Sequence, residues 1–211
     1  MEFDLTSSYL RHNYQLPSST ISPPTSVDDL KAMYAKSLNA DLCLKVKKCV
    51  VGVHRALLCA CSPVFTKMFE APMDEKENNV IEITDIELPV VKGLVEFVYT
   101  GALCNDDFDF VYDLYYAADK YDVSSLRKTC TDVLLAKLDV ENACRVLSLA
   151  DQHSDVQFKD SIMEFILFNF DDILQTNNWS EFLDEETKLA AEVMRCRSLK
   201  SKKLSNNMPV A

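Results

Sequence analysis

Glycine is nearly missing from this chain, with 3 in 211 residues. So few cannot build a backbone cradle for phosphate, and neither G-x-G-x-x-G nor G-x-x-x-x-G-K-[ST] occurs. The nucleophile elbow G-x-S-x-G is absent too. Histidine is equally scarce: His12, His54 and His153 lie far apart, without zinc-ligand spacing. No two of the 8 cysteines form C-x-x-C, and Cys59 and Cys61 would diverge on a helix. Serine, aspartate and glutamate are plentiful, but none falls into a nucleophile–base arrangement. No catalytic residue, metal or cofactor is therefore expected, and the chain is not expected to be an enzyme. Basic residues are the minority, 22 against 33 acidic ones, for a formal net charge of −11. That argues against binding along a nucleic-acid backbone and leaves room for a basic protein partner. No apolar run approaches membrane-spanning length, and "MEFDLTSSYL" lacks the basic start and apolar core of a signal peptide. The expectation is a soluble protein of the nucleus and/or cytoplasm, with its cysteines as mostly buried free thiols.

What is present is apolar periodicity. Hydrophobic residues make up 48% of the chain, enough for a core. Residues 1–26 end in "LPSSTISPPTS", show no period, and are expected to be a disordered arm. "SVDDLKAMYAKSL" places Leu30, Met33 and Tyr34 at helical spacing. "ADLCLKV" alternates Leu42, Leu44 and Val46 as a half-buried strand, "KK" at 47–48 turns the chain, and "CVVGVH" returns. "RALLCAC" predicts a short helix, and Ser62-Pro63 predicts a cap and first turn for the next. "VIEI" at 80–83 is a third strand. A helix from Pro89 should turn Val91, Leu94, Val95 and Val98 inward and stop at Gly101. The second half is read as helical: "FDFVYDLYYAADKY", "VSSLRKTCTDVLLAKL", "NACRVLSLADQH", "FKDSIMEFILFNF" and "KLAAEVMRCRSL". A small early sheet and late helices define an α+β chain.

These segments, in this order, resemble the BTB/POZ domain. The resemblance rests on Asp41 opening the first strand, His54-Arg55-Ala56, Ser62-Pro63-Val64-Phe65, "FVYTG" at 97–101 and "AADKY" at 117–121. The continuation "DVENACRVLSLADQHS" resembles the speckle-type POZ branch with its BACK-like helices. The implied organisation is an arm over 1–26, a BTB/POZ domain over 27–138, a BACK-like extension over 139–195 and a basic flexible tail over 196–211. Speckle-type members carry a MATH domain that captures substrate, and residues 1–26 are too few to bury such a core. The expectation is thus a speckle-type chain without one.

The resemblance also implies surfaces. In the family, an apolar residue, any residue and a glutamate after the "SPVFTKMF" helix contact cullin-3. Met73-Asp74-Glu75 fits that pattern at that place. Methionine suits an adaptable pocket, and flanking acids can steer a basic partner. Without the resemblance, Met73 folding back on its own helix is an equal reading. Tyr112 and Tyr115 are read as core, and Tyr116 as reaching the cullin face. Leu30, Met33, Tyr34 and Leu57 match the POZ dimer interface, so the partner is a second copy or another speckle-type POZ protein. Asp41 and Arg55 are read as a structural ion pair orienting the first strand. Arg195, Arg197, Lys200, Lys202 and Lys203 are either a nuclear import signal or a solvated helix end. The function implied is an adaptor that brings a substrate, which no residue pattern here names, to a cullin-3 ubiquitin ligase. The alternative is a dimerisation module regulating other POZ proteins or transcription without productive cullin binding.

Overall fold

Leu42, Leu44 and Val46 are buried while Cys43 and Lys45 between them are half-exposed, so β1 (Leu42–Val46) offers one face to the core. The computed structural model describes residues 27–37, 39–70 and 79–206, with side chains through 200. Strand β2 (Cys49–Val53) pairs antiparallel with β1 through a two-residue turn in which Lys47 takes a left-handed φ of 53°. Strand β3 (Val80–Ile83) pairs parallel with β1, giving the order β2-β1-β3 among the described residues. Val51, Val53, Ile81 and Ile83 complete the buried face. The other face carries the Lys45–Glu82 ion pair and exposed Val50.

Helix α1 (Val27–Ala35) precedes the sheet, and α2 (Arg55–Cys61) and α3 (Pro63–Glu70) link β2 towards β3. Ser62 caps α3 as its sequence predicts. Its hydroxyl accepts the Phe65 N–H at 3.0 Å and donates to the carbonyl of Tyr121, and the residue is 1% exposed. One hydroxyl thus starts α3 and ties it to a turn far along the chain. Ser62→Ala leaves that amide and carbonyl buried without partners, a cost of about 1–3 kcal/mol. A urea midpoint unchanged from wild type would refute this account of the cap.

Helix α4 (Leu88–Thr100) ends where Gly101, at φ 67°, forms the left-handed cap. Its buried set is wider than one stripe, with Val90, Val91, Leu94, Val95, Phe97 and Tyr99, because α1, α2 and α5 (Phe108–Lys120) all pack on it. Val98, expected inward, is half-buried. Gly93 is required for this packing, since a Cβ there would sit 2.5 Å from the Phe110 ring. Asp107 caps α5 by accepting the Phe110 N–H. Then follow α6 (Ser124–Ala136), α7 (Ala143–Gln152), α8 (Val156–Phe168), the short α9 (Phe170–Ile173), α10 (Asn177–Glu185) and α11 (Thr187–Asn206). α7 packs on α8 and α10, and α11 packs on α8 and α10.

The cysteines depart from expectation. Only Cys130 and Cys144 are buried; Cys43, Cys59, Cys61 and Cys196 are half-buried, and Cys49 and Cys104 are exposed. Membership of an apolar run did not place each thiol on its inward side. All eight are free. Where a basic flexible tail is expected from residue 196, α11 continues to Asn206, and Arg197 donates to the Leu167 carbonyl at 3.1 Å.

Candidate interaction surfaces

Two surfaces carry the residues singled out above. The first is built on α4. Leu30, Met33 and Tyr34 lie along α1, and Leu57 lies on α2; both helices pack on α4. All four side chains touch the core yet remain half-exposed. No residue of α1 is fully buried, although its spacing is amphipathic. Tyr34 is held by Tyr99 of α4, ring centroids 5.2 Å apart. Tyr99 in turn accepts the His54 N–H at 2.9 Å and sits 2.5 Å from His54 Nδ1, anchoring the junction between β2 and α2. Burial pushes both tyrosine hydroxyls above their ordinary pKa.

The second surface centres on α5. Tyr115 is fully buried, as expected, and its hydroxyl donates to Asp155 at 3.0 Å. Tyr112 is not core: it is half-buried, and the Arg145 guanidinium lies 4.0 Å above its ring while pairing with Asp109 at 2.5 Å. Tyr116 points outward, 39% exposed, and donates to Asp85 at 3.0 Å. Lys120, one turn on, pairs with the same carboxylate at 2.6 Å. The Lys120 hydrogen bond holds Asp85 below the usual carboxylate range, and Asp85 raises the Tyr116 hydroxyl. Tyr116 lies beside a groove of ≈ 320 Å³ lined by Ile86, Val90, Tyr112, Leu149 and His153 among others. Asp85 and His153 were invisible as partners in the sequence, because each is tens of residues from Tyr116.

A polar network joins this face to the later helices. Asp119 of α5 binds Arg127 of α6 at 2.8 Å and His153 Nδ1, after α7, at 2.7 Å. Asp155, which takes the Tyr115 hydroxyl, also caps α8 through the Phe158 N–H. Among the described residues no buried side-chain nitrogen or oxygen lacks a partner. None of their His, Cys, Asp and Glu side chains converge in threes as a metal ion would need, and none of their helices is long and apolar enough to cross a membrane.

Met73, Asp74 and Glu75 lie outside the described residues. Their flanks are described. Asp41 and Arg55 do not form the expected ion pair: Asp41 accepts the backbone N–H of Arg55 at 2.8 Å, a capping contact at the start of α2. The guanidinium instead donates to Asn79 Oδ1 at 2.8 Å and lies 4.5 Å over the Phe69 ring.

This arrangement of a small mixed sheet, an α-helical shell and paired surface helices agrees with the family comparison. A BTB/POZ domain model matches residues 30–138, and the chain belongs to that family. It therefore carries a protein-interaction domain of a family whose members dimerise and act typically as adaptors, not enzymes. Mouse TD and POZ domain-containing protein 1 is 34% identical over 193 residues, covering 88% of this chain and 53% of that protein. Mouse TD and POZ domain-containing protein 3 is 37% identical over 179 residues, covering 84% of this chain and 48% of that protein. The chain spans about half the length of the curated relatives it matches. Among solved structures, the BTB domain of zebrafish PATZ1 aligns with 22% identity, 51% of this chain, 86% of that chain and a TM-score of 0.44.

Proposed function

We propose that this chain is a dimeric BTB adaptor that binds cullin-3 and supports or modulates ubiquitination of a protein substrate. The observation that carries the reading is Tyr116, an exposed aromatic on α5 beside a partly apolar groove, in a chain of the BTB/POZ family. Met73, Asp74 and Glu75 supply the rest of the cullin contact. Leu30, Met33, Tyr34 and Leu57 form the dimer contact, with a second copy or another speckle-type POZ protein opposite. The proposal divides the chain into the interaction domain over 27–138 and the helical extension over 139–195. Activity would be assembly: one face pairs chains, another holds the cullin, and the transfer chemistry belongs to the partners.

The test is titration calorimetry with cullin-3. Met73→Ala with Glu75→Ala should lower affinity about thirtyfold, the loss of roughly 2 kcal/mol that interface hot spots carry. Folding stability should stay within about 0.5 kcal/mol of wild type. Wild-type affinity in the folded double variant removes this contact. If wild-type chain fails to bind cullin-3 at all, the dimerisation module that regulates other POZ proteins or transcription is the better account.

A further inference from the structure

Asp119 fixes one edge of the His153 ring and leaves the other open. His153 closes α7, and its backbone N–H donates to the Leu149 carbonyl at 3.2 Å. Its Nδ1 lies 2.7 Å from one oxygen of Asp119, whose other oxygen accepts from Arg127 at 2.8 Å. A carboxylate only accepts, so the proton sits on Nδ1 and the neutral ring carries its lone pair on Nε2. Nε2 has no hydrogen-bond partner among the described residues. No buried side-chain nitrogen among them goes unpaired, so Nε2 is open to solvent. The space that the ring borders is the groove of ≈ 320 Å³ beside Tyr116. We infer that His153 is a binding residue of that groove: its neutral Nε2 accepts a hydrogen bond from cullin-3, and protonation of the ring withdraws the acceptor. The inference rests on the proposed cullin reading of the Tyr116 face.

The surroundings suit this role. Tyr115 and Tyr116 of α5 meet the ring edge-on, with centroids 5.5 and 5.8 Å away, and hold its plane. Ile86, Val90 and Leu149 make the groove partly apolar, and a hydrogen bond made there is stronger than one in open water. Asp85, Glu87 and Asp113 also line it, and no lysine or arginine does. Such a groove favours donors over acceptors on its occupant. Histidine is the side chain whose charge ordinarily changes between pH 5 and 8. The other titratable groups around the ring are Asp119, Tyr115 and Tyr116, with Arg127 on Asp119, Asp155 on Tyr115, Asp85 on Tyr116 and Lys120 on Asp85. Burial raises the Tyr115 hydroxyl, Asp85 raises that of Tyr116, Asp119 raises Arg127 and Lys120 lowers Asp85, so these four keep their charge state across that window.

The test is calorimetry of the full chain with cullin-3, between about pH 7.5 and 5.5, the acid half of the histidine window. His153→Asn places an amide where Nδ1 stood, so Asp119 keeps a donor while the Nε2 acceptor is gone. Its affinity at the upper pH should fall about tenfold, as when a buried donor loses its acceptor. His153→Gln reaches the Nε2 position with a carbonyl that does not titrate, and should bind near wild type at the upper pH. Groups on cullin-3 itself titrate in every profile, so the wild-type slope is read against that of His153→Gln. Relative to that variant, wild-type affinity should fall about tenfold across the range, because binding selects the neutral ring. A ring that only braced the helices would lower the melting temperature in both variants without separating their pH profiles. Should His153→Asn fail to fold, the wild-type and His153→Gln profiles decide alone. Parallel profiles for those two, or wild-type affinity in folded His153→Asn, overturn the inference. Tyr116→Ala then separates it from the groove: if that variant loses cullin-3, the groove reading stands without His153. If Tyr116→Ala also binds like wild type, both ideas fall.

Discussion

Leu30→Asp combined with Leu57→Asp is expected to yield a folded monomer. Both leucines are half-buried within their own chain, so neither substitution opens a sealed core. The surface still exposed on each is what a partner would cover, contributing about 1 kcal/mol per side chain. An aspartate in its place would be desolvated without a counter-ion, a penalty of several kcal/mol at each position. In the proposed two-fold dimer every change would be presented twice. Both new charges share a sign, so they cannot pair across the axis. Together these terms exceed a thousandfold weakening, about 4 kcal/mol. Light scattering at micromolar concentration should report one chain's mass, with the circular dichroism of the helices retained. A dimer persisting in the folded double variant would place the interface elsewhere.

Stability should hold up to about pH 9 and then fall steeply, starting before the lysines titrate. The cause lies in two buried thiols. Burial pushes Cys130 up to about 12 and Cys144 up to about 11, from an ordinary value of 9.0. A raised folded-state pKa keeps its proton longer in the folded chain than in the unfolded one. Its stabilising contribution is therefore complete below pH 9 and is lost as pH rises towards the folded value. Each thiol can contribute a slope of up to about 1.4 kcal/mol per pH unit in that window. Over pH 9 to 11 the pair can remove on the order of 5 kcal/mol, comparable with the whole stability of a small domain. Tyr121, raised to about 12 by burial, extends the loss at higher pH. Urea melts at half-unit intervals from pH 8 upward would show the slope, and Cys130→Ala should remove about half of it. An identical slope in that variant would assign the alkaline loss to other groups.

Local signals made most of the architecture legible. Alternation in "LCLKV", the Ser62-Pro63 start and the Gly101 stop each act within a few residues, and each stands where the sequence puts it. The stretch 171–184 was placed only within the helical extension over 139–195 and not divided into helices, although Thr176 before "NNWSEF" is a capping signal and Trp179 and Phe182 repeat at helical spacing. Burial of individual side chains was less legible. Tyr112 has the period of a core residue, but Arg145 covers its ring, and the two lie on different helices. Arg55 shows the same limit. Its neighbour in the motif reading, Asp41, receives only its backbone, while its side chain goes to residues 69 and 79. The proposed cullin and dimer residues come from family resemblance alone, whereas the helical period by itself separates inward Tyr115 from outward Tyr116.

The bond between Ser62 and Tyr121 has a consequence for how the chain is made. Its two ends are 59 residues apart, so at ribosomal speeds of about 5–20 residues per second one follows the other by roughly 3–12 s. Until residue 121 is made, Phe65 lacks the Tyr121 ring that stacks on it at 4.5 Å. Hairpins and helices form in microseconds, so the wait for residue 121, not local folding, sets the pace of this step. The apolar side of α3 is then the surface that a chaperone at the tunnel exit would meet. Arrival of the α5–α6 turn closes it. Vectorial synthesis thus divides folding of this domain at residue 121, with everything before that point waiting on a single turn.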